Sequence, residues 1–250
     1  MSSQPHIFYT GGAPVDGDSV VLPRAESHHA AKVLRLRKGE IVILADGLGC
    51  AYRGEITRLG RGAPVQVRIH SVIRNFGEPQ VRLTLATGLS TGSKFDTVVE
   101  KGTELGVSRF VPLITDRSTV KVDDPRRAMA KLSRYEKVAL AAMKQSRRSL
   151  RPEITSPVTF ENYMKEIDGE SVNLLFHPGA SAAFRDAALA PGAKRVNLIV
   201  GAESGFSDDE IASARDRGVT IVSLGRRILR TETAGPVICA LVMNSLGELR

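Results

Sequence analysis

The sequence is poor in cysteine and in aromatic residues, and it contains no tryptophan. Its two cysteines, Cys50 and Cys239, have neither the spacing of metal ligands nor enough partners for a disulfide framework. The adjacent histidines His28 and His29 have no carboxylate or cysteine at a spacing that would complete a metal site. We therefore expect no metal ion, and we interpret both thiols as small core residues.

Long apolar runs are also missing. The longest, Val237 to Met243, is far too short to cross a bilayer, and the first residues lack the basic and apolar stretches of a signal peptide. A chain of 250 residues with 42% hydrophobic residues is sufficient for one large domain or two modest ones. These features predict a globular protein that is located in the cytoplasm and does not bind membranes.

Several common cofactor and nucleophile motifs are not met. The segment from Gly88 to Lys94 is rich in glycine, but no serine or threonine follows the lysine as a Walker A motif requires. The segment from Gly201 to Gly205 lacks the glycine order of dinucleotide-binding folds. No zinc-protease motif and no plausible cysteine nucleophile occur. These absences argue against ATP, NAD and covalent catalysis by a cysteine.

The positive charge of the chain is concentrated in one segment. The formal net charge is +8, and the segment from Lys121 to Arg151 contains ten basic and three acidic residues. Such a stripe is typical of a surface that binds a polyanion. A solvated helix face is the alternative, and the pattern alone leaves both interpretations open.

The first 78 residues alternate short β-rich runs with glycine, which predicts a small β-barrel. One helix, capped by Ser27, interrupts the strands. A glycine and a proline between Arg74 and Pro79 mark a domain boundary, so we predict one domain over residues 1–76 and a second over residues 77–250. The predicted strands of the first domain are Ser19 to Leu22, Glu40 to Leu44, Ala51 to Ile56 and Val65 to Val72.

Beyond this boundary, strands alternate with helices, which is typical of a mostly parallel sheet with helices on both faces. The predicted strands are Val81 to Leu89, Arg109 to Ile114, Val172 to Phe176, Val196 to Val200 and Val219 to Leu224. The predicted helices are Lys94 to Leu105, Pro125 to Arg148, Ala182 to Leu189, Asp208 to Arg217 and Pro236 to Leu249.

The most informative segment runs from Ser223 to Ala234. A strand ends at Gly225, whose missing side chain allows a ligand to approach the backbone. Thr231 or Thr233 is predicted to cap a helix that Pro236 opens. Because parallel sheets bind ligands beyond the carboxyl ends of their strands, this loop predicts a site for a nucleotide-like ligand.

Five segments together resemble the RsmE-type 16S rRNA uracil-N3 methyltransferases of the SPOUT class. They are His28 to Gly39, Lys94 to Gly106, Gln145 to Arg148, Gly201 to Ser207 and Leu224 to Ala234, and the last is the most specific. The resemblance implies an α/β fold with a trefoil-knotted SPOUT methyltransferase domain behind an N-terminal PUA-like β-barrel domain. It also implies a homodimer, S-adenosylmethionine as methyl donor, and small-subunit rRNA or the 30S subunit as partner.

The resemblance further implies roles for individual residues. We predict that Arg230 stabilises the negative charge that develops on the uracil oxygens and that Glu232 accepts the N3 proton. The alternative is that these two side chains pair with each other or cap the helix. The predicted cofactor-binding residues are Leu175, Phe176, His177, Val200, Gly201, Glu203, Gly205, Leu224, Gly225, Ile228 and Leu229. The predicted RNA-binding residues are Arg24, His28, Arg35, Arg37, Gln145 and Arg148, with a helix-end salt bridge as the alternative for Arg148.

The chain departs from the family pattern at three positions. The family usually has Gly-Pro-Glu-Gly-Gly where this chain has Ala202 and Ser204, and it commonly has arginine in place of His6. The altered Gly201 loop raises one alternative, an RNA-binding or ribosome-assembly protein of the same fold without catalysis. A SPOUT methyltransferase that acts on another RNA is a second alternative, because phosphate contacts and a shared cofactor pocket say little about the choice of target. An unrelated enzyme with a nucleotide cofactor is a third.

Overall fold

The computed structural model of this protein describes residues 4–12, 15, 17–60, 63–90, 92–118, 125–187, 189 and 192–249. The chain forms two compact units, one of Met1–Glu78 with Met143–Arg151 and one of Pro79–Ala142 with Pro152–Arg250. No pattern in the sequence indicates that residues 143–151 belong to the same unit as the amino-terminal residues. The functional division between residues 76 and 77 stays a prediction.

The first unit contains a five-stranded sheet with the strand order β1-β3-β4-β5-β2. Its strands are β1 (Ile7–Tyr9), β2 (Ser19–Val21), β3 (Ile41–Ala45), β4 (Cys50–Gly60) and β5 (Ala63–Arg74). β1 pairs with β3 in parallel, and the other pairs are antiparallel. The three-residue strand β1 was not predicted. The fully buried side chains of Phe8, Leu44, Ile56, Val65 and Val67 form the centre of the core of this unit.

A short helix, α1 (Arg24–His28), continues into a single π turn over His29–Val33. The prediction that Ser27 caps this helix is wrong, because the helix already begins at Arg24 and Ser27 is buried within it. The Ser27 hydroxyl donates to the Leu22 carbonyl at 3.0 Å and accepts from the Val65 amide at 3.0 Å. Ser27 thus joins the helix to the sheet.

The second unit contains a seven-stranded sheet in which every pair is parallel. The strand order is β12-β10-β11-β6-β7-β8, and β9 also pairs with β7. The strands are β6 (Arg82–Gly88), β7 (Val107–Ile114), β8 (Glu153–Ile154), β9 (Val158–Thr159), β10 (Val172–Phe176), β11 (Arg195–Val200) and β12 (Thr220–Val222). The predicted parallel sheet is confirmed, whereas the two-residue strands β8 and β9 were not predicted.

Helices cover both faces of this sheet, as predicted. They are α2 (Lys94–Glu104), α3 (Pro125–Gln145), α4 (Phe160–Glu166), α5 (Asp208–Asp216) and α6 (Thr231–Ser245). One core contains buried residues of α2, α3 and α6, and the other contains buried residues of α4 and α5. Because successive residues of a strand point to opposite faces, each central strand contributes to both cores.

Two helix predictions are corrected. The helix predicted over Ala182 to Leu189 is a single 3-10 turn, Phe184–Asp186, and residue 188 lies outside the described residues. The backbone before this turn pairs with Ser223, whose amide donates to the Ala182 carbonyl at 2.9 Å and whose carbonyl accepts from Phe184 N at 2.8 Å. A chain segment paired in this way is not available for helical hydrogen bonds.

The last helix begins at Thr231 and contains Pro236 in its interior, so the prediction that the proline opens it is wrong. The Arg230 carbonyl accepts from Thr233 N at 2.9 Å and from Ala234 N at 2.7 Å, which closes the first turn. Proline has no amide hydrogen, so one helical hydrogen bond is missing at Pro236. This earlier start places Glu232 in the first turn of α6.

None of the helices within the described ranges is long and apolar enough to cross a membrane. Over the same ranges, no group of three or more histidine, cysteine or acidic side chains is placed to hold a metal ion. Cys239 is buried in the core between the sheet and α6, while Cys50 is only partly buried.

Candidate functional site

A cavity lies beyond the carboxyl ends of three adjacent strands, β10, β11 and β12, and is bounded by the start of α6. It has about 680 Å³ of open volume, part of it continuous with solvent. This position is the one at which parallel sheets bind ligands, since the loops that leave neighbouring strands diverge there. Ile228, on the loop before α6, is 83% exposed at the cavity.

All of the predicted cofactor-binding residues except Leu175 line this cavity. They are Phe176, His177, Val200, Gly201, Glu203, Gly205, Leu224, Gly225, Ile228 and Leu229. Leu175 is fully buried in the core on the other face of the sheet, beneath α4 and α5. The prediction for Leu175 is therefore corrected: its neighbour Phe176 points towards the cavity, so Leu175 points away from it.

Several lining residues were not predicted from the sequence, among them Phe206, Arg227, Thr231 and Ile238. Thr231 and Ile238 belong to α6, whose start was predicted too late for Thr231 to be placed within the helix. Arg227 lies on the Gly225 loop, within the Leu224 to Ala234 motif that supports the resemblance, but it was assigned no role there. Its place in the cavity depends on the conformation of that loop.

The loop from Gly201 to Gly205 approaches the end of β6 very closely. A Cβ atom on Gly88 would lie 2.2 Å from the backbone nitrogen of Ala202, so no side chain fits at Gly88. Gly205 has φ +70°, in the region that favours glycine. These contacts define the loop that forms one wall of the cavity.

Glu203 lies on this loop and forms an ion pair with Lys94 at the start of α2. The hydrogen bond from the Lys94 ammonium is the main reason that the pKa of Glu203 lies below its ordinary value, so the carboxylate is charged at neutral pH. Both side chains are exposed by more than a third. The predicted role of Glu203 in binding the cofactor stays a prediction, and Lys94 is a partner of the same carboxylate.

Arg230 and Glu232 flank Thr231 at the start of α6, next to the cavity. The Arg230 side chain is exposed, and α6 has no side-chain cap. Glu232 is partly buried, and its Oε2 atom has no hydrogen-bond partner among the described residues. The described residues show no Arg230–Glu232 ion pair, so the structure does not support the alternative roles of pairing or capping.

A second, larger cleft lies in the first unit and has about 1470 Å³ of open volume, part of it likewise continuous with solvent. Arg24, His28 and Lys32, which are spaced four residues apart, line it together with Leu59 and Gly60 of β4 and Ala63 and Pro64 of β5. The predicted RNA contacts Arg35 and Arg37 are exposed but do not line this cleft. Lys32 was missed, although its spacing from Arg24 and His28 is a signal that the sequence contains.

Gln145 is the last residue of α3, and Arg148 lies three residues beyond it. The two side chains have different environments. Gln145 is exposed, whereas the Arg148 side chain is 2% exposed and forms an ion pair with Glu78 at 2.7 Å. Glu78 also accepts hydrogen bonds from the amides of Ser149 and Leu150, both at 2.8 Å. This burial corrects the hypothesis that Arg148 contacts RNA and supports the helix-end salt bridge.

Other residues of the basic segment are also partly neutralised. Arg134 pairs with Asp96 at 2.6 Å, and Lys144 pairs with Glu26 at 2.6 Å. Lys131 and Lys137 are exposed, and Lys121 lies outside the described residues. Some basic residues of the segment therefore form internal ion pairs, and others remain on an exposed positive surface. Both interpretations, a surface that binds a polyanion and a solvated helix face, stay open for the exposed residues.

The sequence is similar to known RNA methyltransferases over nearly its whole length. The family model of the RNA methyltransferase domain matches residues 77–243, and that of the RNA methyltransferase PUA domain matches residues 22–65. The ribosomal RNA small subunit methyltransferase E of a Synechocystis species is 32% identical over 92% of this chain and 74% of that protein. The protein belongs to the ribosomal RNA small subunit methyltransferase E family. The family member from Mycobacterium tuberculosis is 31% identical over 94% of this chain and 90% of that protein.

Solved structures show the same fold. The ribosomal RNA small subunit methyltransferase E of Neisseria gonorrhoeae, bound to S-adenosylmethionine, superposes with a TM-score of 0.85 at 27% identity, covering 97% of this chain and 98% of that one. The Legionella pneumophila protein Lpg2936, also in complex with S-adenosylmethionine, gives 0.84 at 32% identity, with the same coverage. The predicted fold class, a parallel α/β domain after a PUA-like domain, is thereby confirmed, while the trefoil knot stays an expectation from the resemblance.

The structure accommodates the two departures from the family pattern in the Gly201 loop. Ser204 does not have a positive φ, so the position does not require glycine. Its hydroxyl donates to the Arg117 carbonyl at 2.6 Å, a contact that glycine could not make. Ala202 packs against Gly88, so the loop keeps its close approach to β6. The departures therefore do not favour a protein that has lost catalysis.

Proposed function

We propose that this protein transfers the methyl group of S-adenosylmethionine to N3 of a uridine in small-subunit rRNA. The observation that carries the proposal is the cavity at the ends of β10, β11 and β12, with Arg230 and Glu232 beside it. Membership of the methyltransferase E family and the relatives solved with S-adenosylmethionine support the same conclusion.

The cavity fits a cofactor with an aromatic base and a polar tail. Phe176, Leu229 and Ile238 provide apolar surface, and Nδ1 of His177 is buried without a hydrogen-bond partner among the described residues. A buried polar atom of this kind is stabilised when a ligand supplies its partner. When bound, S-adenosylmethionine supplies an activated methyl group whose leaving group is a neutral thioether, so the proposal needs no metal ion.

The two polar residues at the start of α6 act on the uracil. N3 of uracil carries a proton at neutral pH, and its removal places negative charge on O2 and O4. Glu232, whose Oε2 atom has no partner among the described residues, accepts the proton. The exposed guanidinium of Arg230 stabilises the charge on the oxygens.

The direct test is to incubate the purified protein with radiolabelled S-adenosylmethionine and unmodified small ribosomal subunits, and then to identify the labelled nucleoside after digestion of the rRNA. We expect the label in N3-methyluridine. Label in another nucleoside would retain the enzyme class and reject the target. No label, together with no cofactor binding by calorimetry, would support an RNA-binding protein without catalysis.

The role of Glu232 predicts a pH-dependent defect. We expect Glu232→Gln to reduce methyl transfer by about 100-fold at pH 7, because the amide cannot accept a proton while the geometry is kept. The loss should shrink as pH rises, since hydroxide in solution can then take the N3 proton. The measurement is single-turnover transfer between pH 6 and pH 9. Glu161→Gln, an exposed substitution on α4, is the control, and a loss that does not change with pH would contradict the role.

The first domain, residues 1–76, is proposed to hold the RNA, and its cleft supports this. Arg24, His28 and Lys32 line the cleft from one side of the helical segment. Glu26, which lies between them in sequence, is buried and paired with Lys144, so its carboxylate does not neutralise them. Three basic side chains at regular spacing suit a phosphate backbone. Arg35, Arg37 and Gln145, which are exposed, remain proposed contacts of the same RNA.

This proposal predicts a change in the salt dependence of RNA binding. Each of Arg24→Ala and Lys32→Ala should reduce the slope of log affinity against log salt by about 0.7, the value for one phosphate of a single strand. Fluorescence anisotropy with a labelled rRNA fragment at several salt concentrations measures the slope. Lys38→Ala, an exposed substitution outside the cleft, is the control. Equal slopes for all the variants would show that the cleft does not bind phosphate.

We also propose that the protein acts in the cytoplasm on the 30S subunit as a homodimer. Apolar side chains on the outer face of α6 support a second copy as partner, since Val237 is 37% exposed and Leu241 is 41% exposed one helical turn further on. The 30S subunit and the cytoplasmic location follow from the proposed substrate, because ribosomal subunits are assembled there in bacteria.

A further inference from the structure

The loop between β12 and α6 contains three arginines, at positions 226, 227 and 230. All three side chains are exposed, and none has an ion-pair partner within the described part of the chain. Only Arg227 lines the cavity at the ends of the parallel strands. The structure therefore distinguishes three side chains that are chemically identical in the sequence.

The charged side chains that line the cavity differ in whether they have an ion-pair partner. Among the described residues that line it, the ionisable side chains are His177, Glu203 and Arg227. The Glu203 carboxylate is paired with Lys94, outside the cavity lining. The Arg227 guanidinium has no ion-pair partner among the described residues, so this side of the cavity presents a positive charge that the described part of the chain does not neutralise. A ligand that fills the cavity can pair a negative group with it.

The apolar surface determines where that negative group would lie. Phe176 is buried at the inner wall, while Arg227 is exposed to solvent. A ligand with an apolar ring at one end and a carboxylate at the other matches this order, with the ring inside and the carboxylate at the exposed side. Guanidinium groups bind carboxylates through two parallel hydrogen bonds.

We infer that Arg227 binds the α-carboxylate in the amino-acid tail of the methyl donor and so makes the site selective for that carboxylate. This inference rests on the proposed function, because it takes S-adenosylmethionine as the ligand. The carboxylate is the only negative group of that molecule, whereas its ammonium and sulfonium groups are repelled by a guanidinium. The other source of an anion here is an RNA phosphate, which an exposed arginine can also bind.

Calorimetry with two ligands separates these possibilities. The ligands are S-adenosylmethionine and its decarboxylated form, which keeps the adenosine, the sulfonium and the amine. We expect Arg227→Ala to weaken S-adenosylmethionine by about tenfold and to leave the decarboxylated form nearly unchanged, so that the preference of the wild type for the carboxylate is lost. Arg227→Lys should keep part of that preference, because it keeps the charge without the paired hydrogen bonds.

Arg226→Ala is the matched control, since it removes an adjacent exposed arginine that does not line the cavity. It should keep the full preference for the carboxylate. An equal loss for both ligands in Arg227→Ala would show that Arg227 only supports the loop, and would overturn the inference. Unchanged cofactor binding with weaker RNA binding would assign Arg227 to a phosphate and would also overturn it.

Binding of the two ligands to the wild-type protein distinguishes a failure of the inference about Arg227 from a failure of the proposed function. Equal affinity for the two ligands would overturn the inference about Arg227 and leave the proposed function intact. No binding of either ligand would overturn the proposed function and the inference with it. The thermal unfolding midpoint of each variant should match that of the wild type, because the substituted side chains are exposed.

Discussion

Replacement of Arg230 by alanine is expected to reduce methyl transfer by about 100-fold, the loss typical for one group that stabilises a developing negative charge. The Arg230 side chain is exposed at the first turn of α6 and does not line the cofactor cavity, although both of its neighbours in sequence do. The affinity for S-adenosylmethionine should therefore change by less than about twofold. Single-turnover transfer and calorimetry on the same preparation measure the two effects.

Two further variants show whether the loss comes from charge. Arg230→Lys keeps the positive charge and should recover part of the rate, while Arg226→Ala removes an arginine of the same loop and should have little effect on transfer. Unchanged turnover in Arg230→Ala would remove this residue from the mechanism. A parallel loss of cofactor affinity would show instead that Arg230 maintains the shape of the loop.

Replacement of Glu78 by alanine is expected to destabilise the first unit by about 3–5 kcal/mol, as when one partner of a buried ion pair is removed. The Glu78 side chain is 7% exposed and pairs with Arg148, which is 2% exposed. It also accepts from two backbone amides, those of Ser149 and Leu150. Alanine would leave a buried guanidinium without this carboxylate and would remove the acceptor of both amides.

Urea unfolding of the full chain measures the loss in the free energy of unfolding. Hydrogen exchange of the amides in residues 143–151 is a second measurement, which shows whether this segment opens locally. Glu78→Gln should cost less, because its carbonyl oxygen can still accept from the amides. Glu161→Ala breaks an exposed ion pair with Lys165 and should change stability by less than about 0.5 kcal/mol. A loss of that small size in Glu78→Ala would mean that Arg148 and the two amides find other partners.

The conformation of the Gly225 loop could be predicted in part from the local sequence. Gly225 has φ +109° and Gly205 has φ +70°, so the glycines that predicted close backbone approach do adopt conformations that favour glycine. The apolar runs before them form β12 and β11, parallel strands of the same sheet, as the alternation of strands and helices predicted, and each pairs with β10. Both signals are local, which is why the cavity could be placed from the sequence.

The errors arise where distant residues decide the outcome. Arg148 is one of several basic residues in its segment, and nothing near it shows that Glu78, seventy positions earlier, is its buried partner. Ala182 and Ala183 are not helical because their backbone pairs with that of Ser223. Leu175 and Phe176 are equally apolar neighbours, and the positions of the surrounding helices decide which faces the cavity.

The sequence by itself determined the parallel α/β class, the loops that form the cofactor cavity and the family, because strand periodicity, glycine turns and the Leu224 to Ala234 motif are local patterns. The tertiary structure decided which charged side chains are available. It paired Arg148, Lys144 and Glu203 with distant partners and left Arg227 and Arg230 exposed without ion pairs among the described residues. Ion pairing depends on proximity in space, and residues far apart in the chain become neighbours only when it folds.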